Sequence, residues 1–290
     1  MSEFVRVSKQ RPCPICKKPD WCMVSKDGSA AICPRVPSSR DLGEAGFLHR
    51  LTEKSIPVHV QHRASSPPNI NAEAIAQRYQ DGMTGEDYRQ LAADLGVTEE
   101  SLMALSVGRA DQYLEGTYSF PMRNEWDQIV GIRLRNKDGH KWAVYGSKQG
   151  LFYGSFEVGE TLYVCEGPTD AAALISQGCA AIGKPSCSSG DEMVVAIVRK
   201  VKPSMVVVVS DVDHHAGKCN FCDRDFCQHC RPGQYGAEKT AKAIHATGAV
   251  VKVVEPINAK DIRQWFNKGA TAAGLRMLVD NTLLWTPRYT

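Results

Sequence analysis

Three carboxylates define the chemistry open to this chain. Glu166 directly follows the apolar run Thr-Leu-Tyr-Val-Cys, and Asp211 and Asp213 follow Met-Val-Val-Val-Val-Ser. Both runs are short and rich in β-branched residues, which reads as strand, and their unbroken apolarity reads as a parallel sheet covered on both faces. In such sheets functional groups gather past the carboxyl ends of the strands, so the three acids are expected at one edge. Crowded carboxylates repel unless a cation lies between them, and Mg²⁺ takes oxygen ligands while leaving positions for phosphates. Metal-assisted phosphoryl transfer is the chemistry to expect. The plain alternative, ordinary acids at strand ends, fits a single carboxylate better than Glu-Gly and Asp-x-Asp each placed after a strand.

Eight of the eleven cysteines fall in two tight groups, which in an intracellular chain read as metal sites rather than disulfides. Cys13, Cys16, Cys22 and Cys33 can enclose one tetrahedral Zn²⁺, with His49 as an alternative ligand. Lys9, Arg11, Lys17, Lys18, Lys26, Arg35 and Arg40 surround this group, and Trp21 is available to stack on a base. The second group, Cys219, Cys222, Cys227 and Cys230 with His229 among them, again predicts Zn²⁺, with an iron–sulfur cluster as the alternative.

These groups need elements to carry them. Residues 72–105 have helical periodicity, with Thr98 as an N-cap, and read as a helical pair packed beside the sheet. Leu-Ala-x-x-Leu-Gly-Val-Thr within it mimics a DNA-reading helix-turn-helix, but the second helix offers Glu99, Glu100 and Ser101 where basic or amide side chains are needed. Residues 118–135 read as a hairpin. Alternation along Ile129 to Arg135 places Ile132 and Leu134 on one face and Arg133 and Arg135 on the other, toward solvent or a polyanion. Residues 179–185 form a strand-to-loop edge, 191–201 a helix leading to the Asp-x-Asp strand, 236 onward a helix, 249–254 a strand, and 260–269 the close of the sheet. Residues 61–71, with Ser-Ser-Pro-Pro, read as a linker.

At 290 residues with 43% hydrophobic content, two or three modest domains can form real cores. No apolar run is long enough to span a bilayer and no signal-like segment opens the chain, so a cytoplasmic protein with no membrane partner is expected. The net charge is +3, but residues 1–63 carry eleven Lys/Arg against six Asp/Glu, leaving −2 for the remainder. A basic arm beside an acidic metal centre suits a nucleic acid partner.

At Glu166 and Asp211-x-Asp213 the chain resembles the Toprim module of bacterial-type primases, topoisomerases, RecR-type mediators and certain nucleases. The order of weaker motifs narrows this: Leu95 to Gly108, Phe120 to Asn124, Gly131 to Arg135, Lys141-Trp142 and Leu151 to Gly154 are similar to the polymerase core of bacterial and phage DNA primases. That resemblance implies an α/β Toprim fold, Rossmann-like with a mostly parallel sheet, joined to an α+β subdomain and a small zinc ribbon. Its domains would be 1–60 (zinc), 61–71 (linker), 72–158 (α+β), 159–268 (catalytic, with a knuckle inserted at 214–236) and 269–290 (terminal helix and tail). It implies a primer-synthesising nucleotidyltransferase with Glu166, Asp170, Asp211, Asp213 and Asp261 as catalytic acids, all but Asp170 holding two Mg²⁺ or Mn²⁺ ions. Arg123, Arg133, Arg135, Lys141 and Lys184 would contact nucleotide or template, as would Lys17, Lys18 and Trp21. Single-stranded DNA and nucleoside triphosphates are the implied partners, with a replicative helicase a candidate, in a bacterial or phage-infected cell. A Toprim nuclease and a RecR-type DNA-binding mediator are the alternatives. The chain departs from the bacterial pattern in its cysteine spacing, in Lys184 and Ser186 to Ser189 replacing a Gly-Thr pair, and in Arg263 replacing a second acid after Asp261.

Overall fold

The computed structural model of the protein describes residues 4–51, 69–213 and 227–287. The linker read at 61–71 lies, apart from its last three residues, outside these, as do Cys219 and Cys222. The chain divides into two compact units, residues 1–64 and 65–290.

The first unit is an antiparallel sheet of β1 (Phe4–Arg6), β2 (Met23–Ser25), β3 (Ala30–Cys33) and β4 (Phe47–Arg50), in that order. Its buried centre is Val7, Val24 and Ala31 with Cys13, Cys22 and Cys33, half of it sulfur. So little apolar surface cannot hold a segment of this size folded, and thiol ligation is the available substitute.

The second unit begins with α1 (Ala72–Asp81), α2 (Gly85–Leu95) and α3 (Glu99–Ala104), three helices where the sequence suggested a pair. The first break falls at Gly82–Met83, ahead of a capping box between Thr84 and Asp87; the second falls at Gly96, which takes the left-handed conformation. Thr98 caps α3 as expected, its hydroxyl accepting from the Ser101 N–H at 3.2 Å. Leu91, Leu95, Leu102 and Leu105 are buried in the core over the parallel sheet, so these helices are scaffold and no recognition helix projects.

An antiparallel sheet follows, with β5 (Gly108–Arg109), β6 (Tyr118–Arg123), β7 (Ile129–Arg135) and β8 (Lys141–Ala143) in sequence order. Ile132 and Leu134 are fully buried against Ala76 and Tyr79 of α1, which fixes the opposite face for Arg133 and Arg135. Gly131 must be glycine, because a Cβ there would collide with the Lys148 carbonyl.

The remaining elements are β9 (Phe152–Tyr153), β10 (Thr161–Glu166), α4 (Pro168–Ser176), β11 (Ala180–Lys184), α5 (Asp191–Val201), β12 (Met205–Val209), α6 (Pro232–His245), β13 (Val251–Val254), α7 (Ile262–Asn267) and α8 (Ala272–Asn281). The five-stranded sheet runs β13-β12-β10-β11-β9, parallel throughout except for β9. Both faces are covered, as the apolar runs require. Tyr163, Cys165, Val207 and Val209 pack beneath α4, α7 and α8, while Leu162, Val164, Val206 and Val208 pack beneath α5 and α6. Residues 262–267 are helix rather than sheet, and α6 starts four residues before the expected Gly236, with Pro at its first position. A two-residue bridge between Arg123 and Leu151, with reciprocal N–H···O bonds of 2.7 Å, joins the two sheets. No helix among the described residues is long and apolar enough to cross a membrane.

Candidate active site

From β10 the chain turns to β11 on one side and later returns to β12 on the other, so the crevice past these strands is the topological switch point of the sheet. Glu166 is the last residue of β10. Gly167, at φ +83°, turns the chain into α4, and its N–H donates to the Lys184 carbonyl at 2.8 Å. Gly183 faces this turn so closely that a Cβ would strike the Gly167 carbonyl. Asp170 follows in the first turn of α4, buried, with its Oδ1 accepting from the Arg263 N–H at 3.2 Å. Asp211 and Asp213 lie just past β12, where the Val212 N–H donates to the Lys260 carbonyl at 2.7 Å. That bond brings the Lys260–Asp261 corner alongside, and Asp261 caps α7 by accepting from the Gln264 N–H at 2.7 Å.

Electrostatics show that these acids share one space. Burial pushes the Asp170 carboxyl up to about 7 with help from Asp261, while the Arg263 N–H and guanidinium and Lys141 oppose the shift. Asp211 is pushed up to about 8, by burial first and then by Asp170, Glu166 and Asp261, with Lys260 opposing. Glu166 is also raised, chiefly by burial and further by Asp213; a Cys187 backbone hydrogen bond, Lys184 and Lys141 pull the other way. Carboxylates whose charge is disfavoured by burial and by one another are what an incoming cation would relieve, and an all-oxygen donor set suits Mg²⁺ or Mn²⁺. The group is looser than a closed cage. Among the described residues, only the four N-terminal cysteines bring three or more potential ligand atoms all within 4.8 Å of one another.

Cations line the facing side. Burial lowers the Arg135 guanidinium and Arg263 lowers it further, against the pull of Asp170 and Asp261. Lys141 is lowered by burial and then by Arg135, with Asp170 and Glu166 opposing. The Nε of Arg133 is buried without a hydrogen-bond partner. The crevice is thus two-sided, acids on the strand ends and α4, bases on β7, β8 and α7.

Two expected nucleotide-binding residues are occupied otherwise. Lys184 is 4% exposed, and its ammonium donates to Asp191 Oδ1 at 2.5 Å, Thr240 Oγ1 at 2.5 Å and the Cys187 carbonyl at 3.2 Å. Three donors and three partners leave nothing for a phosphate, and this corrects the expectation for Lys184. Arg123 is spent on its hairpin, donating to the Asp127 carbonyl at 3.2 Å, Asp127 Oδ1 at 3.0 Å and Ser106 Oγ at 3.1 Å. Sequence reasoning, for its part, treated Arg263 only as a missing acid and overlooked Lys260, Gly233 and Gln234. The Pro-Gly pair at 232–233 was the available signal for the last two, since it marks a helix start.

In the first unit all four sulfurs of Cys13, Cys16, Cys22 and Cys33 lie within 4.8 Å of one another. Zn–S bonds of about 2.3 Å require sulfurs about 3.8 Å apart in a tetrahedron. The Cys16–Cys22 and Cys22–Cys33 separations are 3.6 and 3.8 Å, so the group fits one Zn²⁺. His49 is not a member; its Nε2 bonds the Val36 carbonyl at 2.9 Å. Arg35, ion-paired with Asp20, donates to Cys22 Sγ at 3.6 Å and would offset thiolate charge. Lys17 and Lys18 are exposed, as is Trp21 at 74%. Of the second cysteine group, Cys227 and Cys230 are described, with sulfurs 3.7 Å apart.

No family model matches the chain, and no curated protein matches its sequence. Solved structures do. The Aquifex aeolicus primase, zinc-binding and RNA polymerase domains together, aligns with 94% of this chain and 78% of its own at 13% identity and a TM-score of 0.55. The E. coli primase catalytic core aligns with 73% of this chain and 79% of its own at 14% identity and a TM-score of 0.54. A DnaG primase catalytic domain bound to single-stranded DNA aligns with 73% of this chain and 78% of its own at 15% identity and a TM-score of 0.54. At such identities the likeness is one of fold: the chain has the fold of the zinc-binding and catalytic domains of bacterial DNA primases.

Proposed function

We propose that the protein is a DNA primase-like nucleotidyltransferase that joins nucleotides on a single-stranded DNA template. One observation carries this reading: Glu166, Asp170, Asp211 and Asp261 share one crevice and face Arg135, Lys141 and Arg263. The primase-type fold around it, including a similar structure bound to single-stranded DNA, supports the choice of substrate.

Glu166, Asp211, Asp213 and Asp261 would hold two divalent cations, Mg²⁺ or Mn²⁺, whose chemistry is to stabilise an attacking hydroxyl and a leaving pyrophosphate. Asp170, buried beside Asp261 and raised to about 7, would favour its charged form with a cation bound nearby. Arg135 and Lys141, which feel the charge of Asp170, and Arg133 on the same face of β7 would take the phosphates of the incoming triphosphate or of the template. The first unit adds an exposed Trp21 for base stacking and Lys17 and Lys18 for template phosphates, on a Zn²⁺-held sheet. Cys227 and Cys230, with Cys219 and Cys222, would hold a second Zn²⁺.

The test is primer synthesis on single-stranded DNA with ribo- or deoxynucleoside triphosphates and either Mg²⁺ or Mn²⁺. Asp211→Asn and Asp213→Asn should each lower synthesis by about 100-fold or more, the scale of losing several kcal/mol of charge stabilisation, with DNA binding retained. Normal primer extension by either variant rejects the assignment. Metal-dependent degradation of labelled DNA without synthesis would identify a nuclease, and DNA binding with neither activity a mediator.

A further inference from the structure

The segment carrying Asp211 and Asp213 is gripped by the first turn of α6. The Gly233 N–H donates to Asp213 Oδ2 at 2.7 Å. Gln234, only 7% exposed, holds the backbone of the same residue: the Asp213 N–H donates to Gln234 Oε1 at 3.3 Å, and Gln234 Nε2 donates to the Asp213 carbonyl at 3.3 Å. A Cβ on Gly233 would lie 2.7 Å from the Asp211 carbonyl oxygen and 2.9 Å from Asp211 Cβ, so helix and aspartates meet without slack.

The chain enters this turn directly from a cysteine pair. Cys230 is buried, its sulfur 3.7 Å from that of Cys227. The Cys227 N–H donates to Cys230 Sγ at 3.1 Å and the His229 N–H to Cys227 Sγ at 3.4 Å, bonds that favour sulfurs carrying negative charge. The Arg231 N–H then donates to the Cys227 carbonyl at 3.0 Å, passing the geometry of the thiols straight into α6.

We propose that Gly233 and Gln234 are positioning residues for Asp213, and that the Cys227–Cys230 turn holds them in place, so this clamp sets how tightly the carboxylates bind a divalent cation. This rests on reading the acids as cation ligands. With Oδ2 tied to a peptide N–H, the carboxylate presents its other oxygen in one direction instead of sampling several. Outer partners of metal ligands are worth about 10–100-fold in metal affinity.

The experiment measures Mn²⁺ affinity by electron paramagnetic resonance on the full chain with its zinc retained, without DNA or nucleotide. Gln234→Met, which keeps volume but removes both bonds, should weaken Mn²⁺ binding about 10–100-fold in a protein that still folds and melts cooperatively. In activity assays it should raise the Mn²⁺ concentration for half-maximal rate more than it lowers the limiting rate. Gly233→Ala, pushing α6 off Asp211, and Cys230→Ala, which removes the acceptor of the Cys227 N–H, should weaken Mn²⁺ in the same way. Wild-type affinity in folded Gln234→Met and Gly233→Ala overturns the clamp; wild-type affinity in Cys230→Ala overturns the role of the Cys227–Cys230 turn. A wild-type protein that binds no Mn²⁺ overturns the clamp together with the cation site. One that binds Mn²⁺ yet makes no primer refutes only the primase reading, and the clamp is still decided by the variants.

Discussion

Raising the pH from 6 to 8 in the absence of divalent cations should destabilise the catalytic unit, and the effect can be sized from Asp170 and Asp211. Both carboxyls titrate higher folded than unfolded, near 7 and near 8 against a reference of 3.8. The sign follows: between the unfolded and folded values the native state binds more protons, so this part of the stability is complete below about pH 4 and drains as pH rises through 7 to 8. Over pH 6–8 a carboxyl titrating at 7 loses about 1.4 kcal/mol and one at 8 up to about 2.3 kcal/mol. Asp211 is only partly enclosed and keeps some solvation, which brings the pair to about 2–3 kcal/mol. For a unit of this size that is a fall of roughly 5–10 °C in melting temperature. The assay is thermal melting in buffers stripped of Mg²⁺ and Mn²⁺ with zinc left bound, comparing wild type with Asp211→Asn and Asp170→Asn. Each variant should be less pH-sensitive than wild type, histidines and other groups cancelling in the comparison, and added Mn²⁺ should flatten the wild-type slope. A wild-type slope that the variants leave unchanged, or that Mn²⁺ steepens, would show that these acids do not crowd one another.

Two further perturbations separate architecture from substrate contact. Lys184→Met leaves the half-buried Asp191 carboxylate with Lys239 and Thr240 but without its closest cation, and should cost about 1–3 kcal/mol in denaturant unfolding; a change under about 0.5 kcal/mol would contradict the network. Trp21→Ala removes an exposed indole from a unit whose fold does not rest on it, and single-stranded DNA affinity should fall by 1–3 kcal/mol, roughly 5- to 150-fold, with no loss of zinc. Unchanged affinity by fluorescence anisotropy would remove Trp21 from the template surface.

Much of this site was legible because its signals are local. Glu166-Gly167 and Asp211-x-Asp213 sit directly after apolar runs that can only be buried strands, and strand polarity in a parallel sheet sends their ends to one edge. The alternation of Ile132 and Leu134 with Arg133 and Arg135 likewise fixed which face of β7 carries charge. Cys13 to Cys33 announced a metal site by spacing, while the choice of Cys33 over His49 needed the backbone, since a ligand's distance to a sulfur cluster depends on how β3 and β4 pair.

What stayed hidden are relations between residues far apart in the chain. Lys184 has the type and position of a phosphate contact, yet Asp191 and Thr240, the latter 56 residues away, consume its hydrogens. Arg263 looked like a missing acid, and only the packing of α7 against α4 turned its backbone toward Asp170 and its charge toward Arg135. The sequence by itself determined which carboxylates meet at the sheet edge, because short-range patterns dictate strands and strands dictate ends. Tertiary structure alone decided which cations are free to face them and what holds Asp213 still, because hydrogen-bond partners are assigned by distance in space.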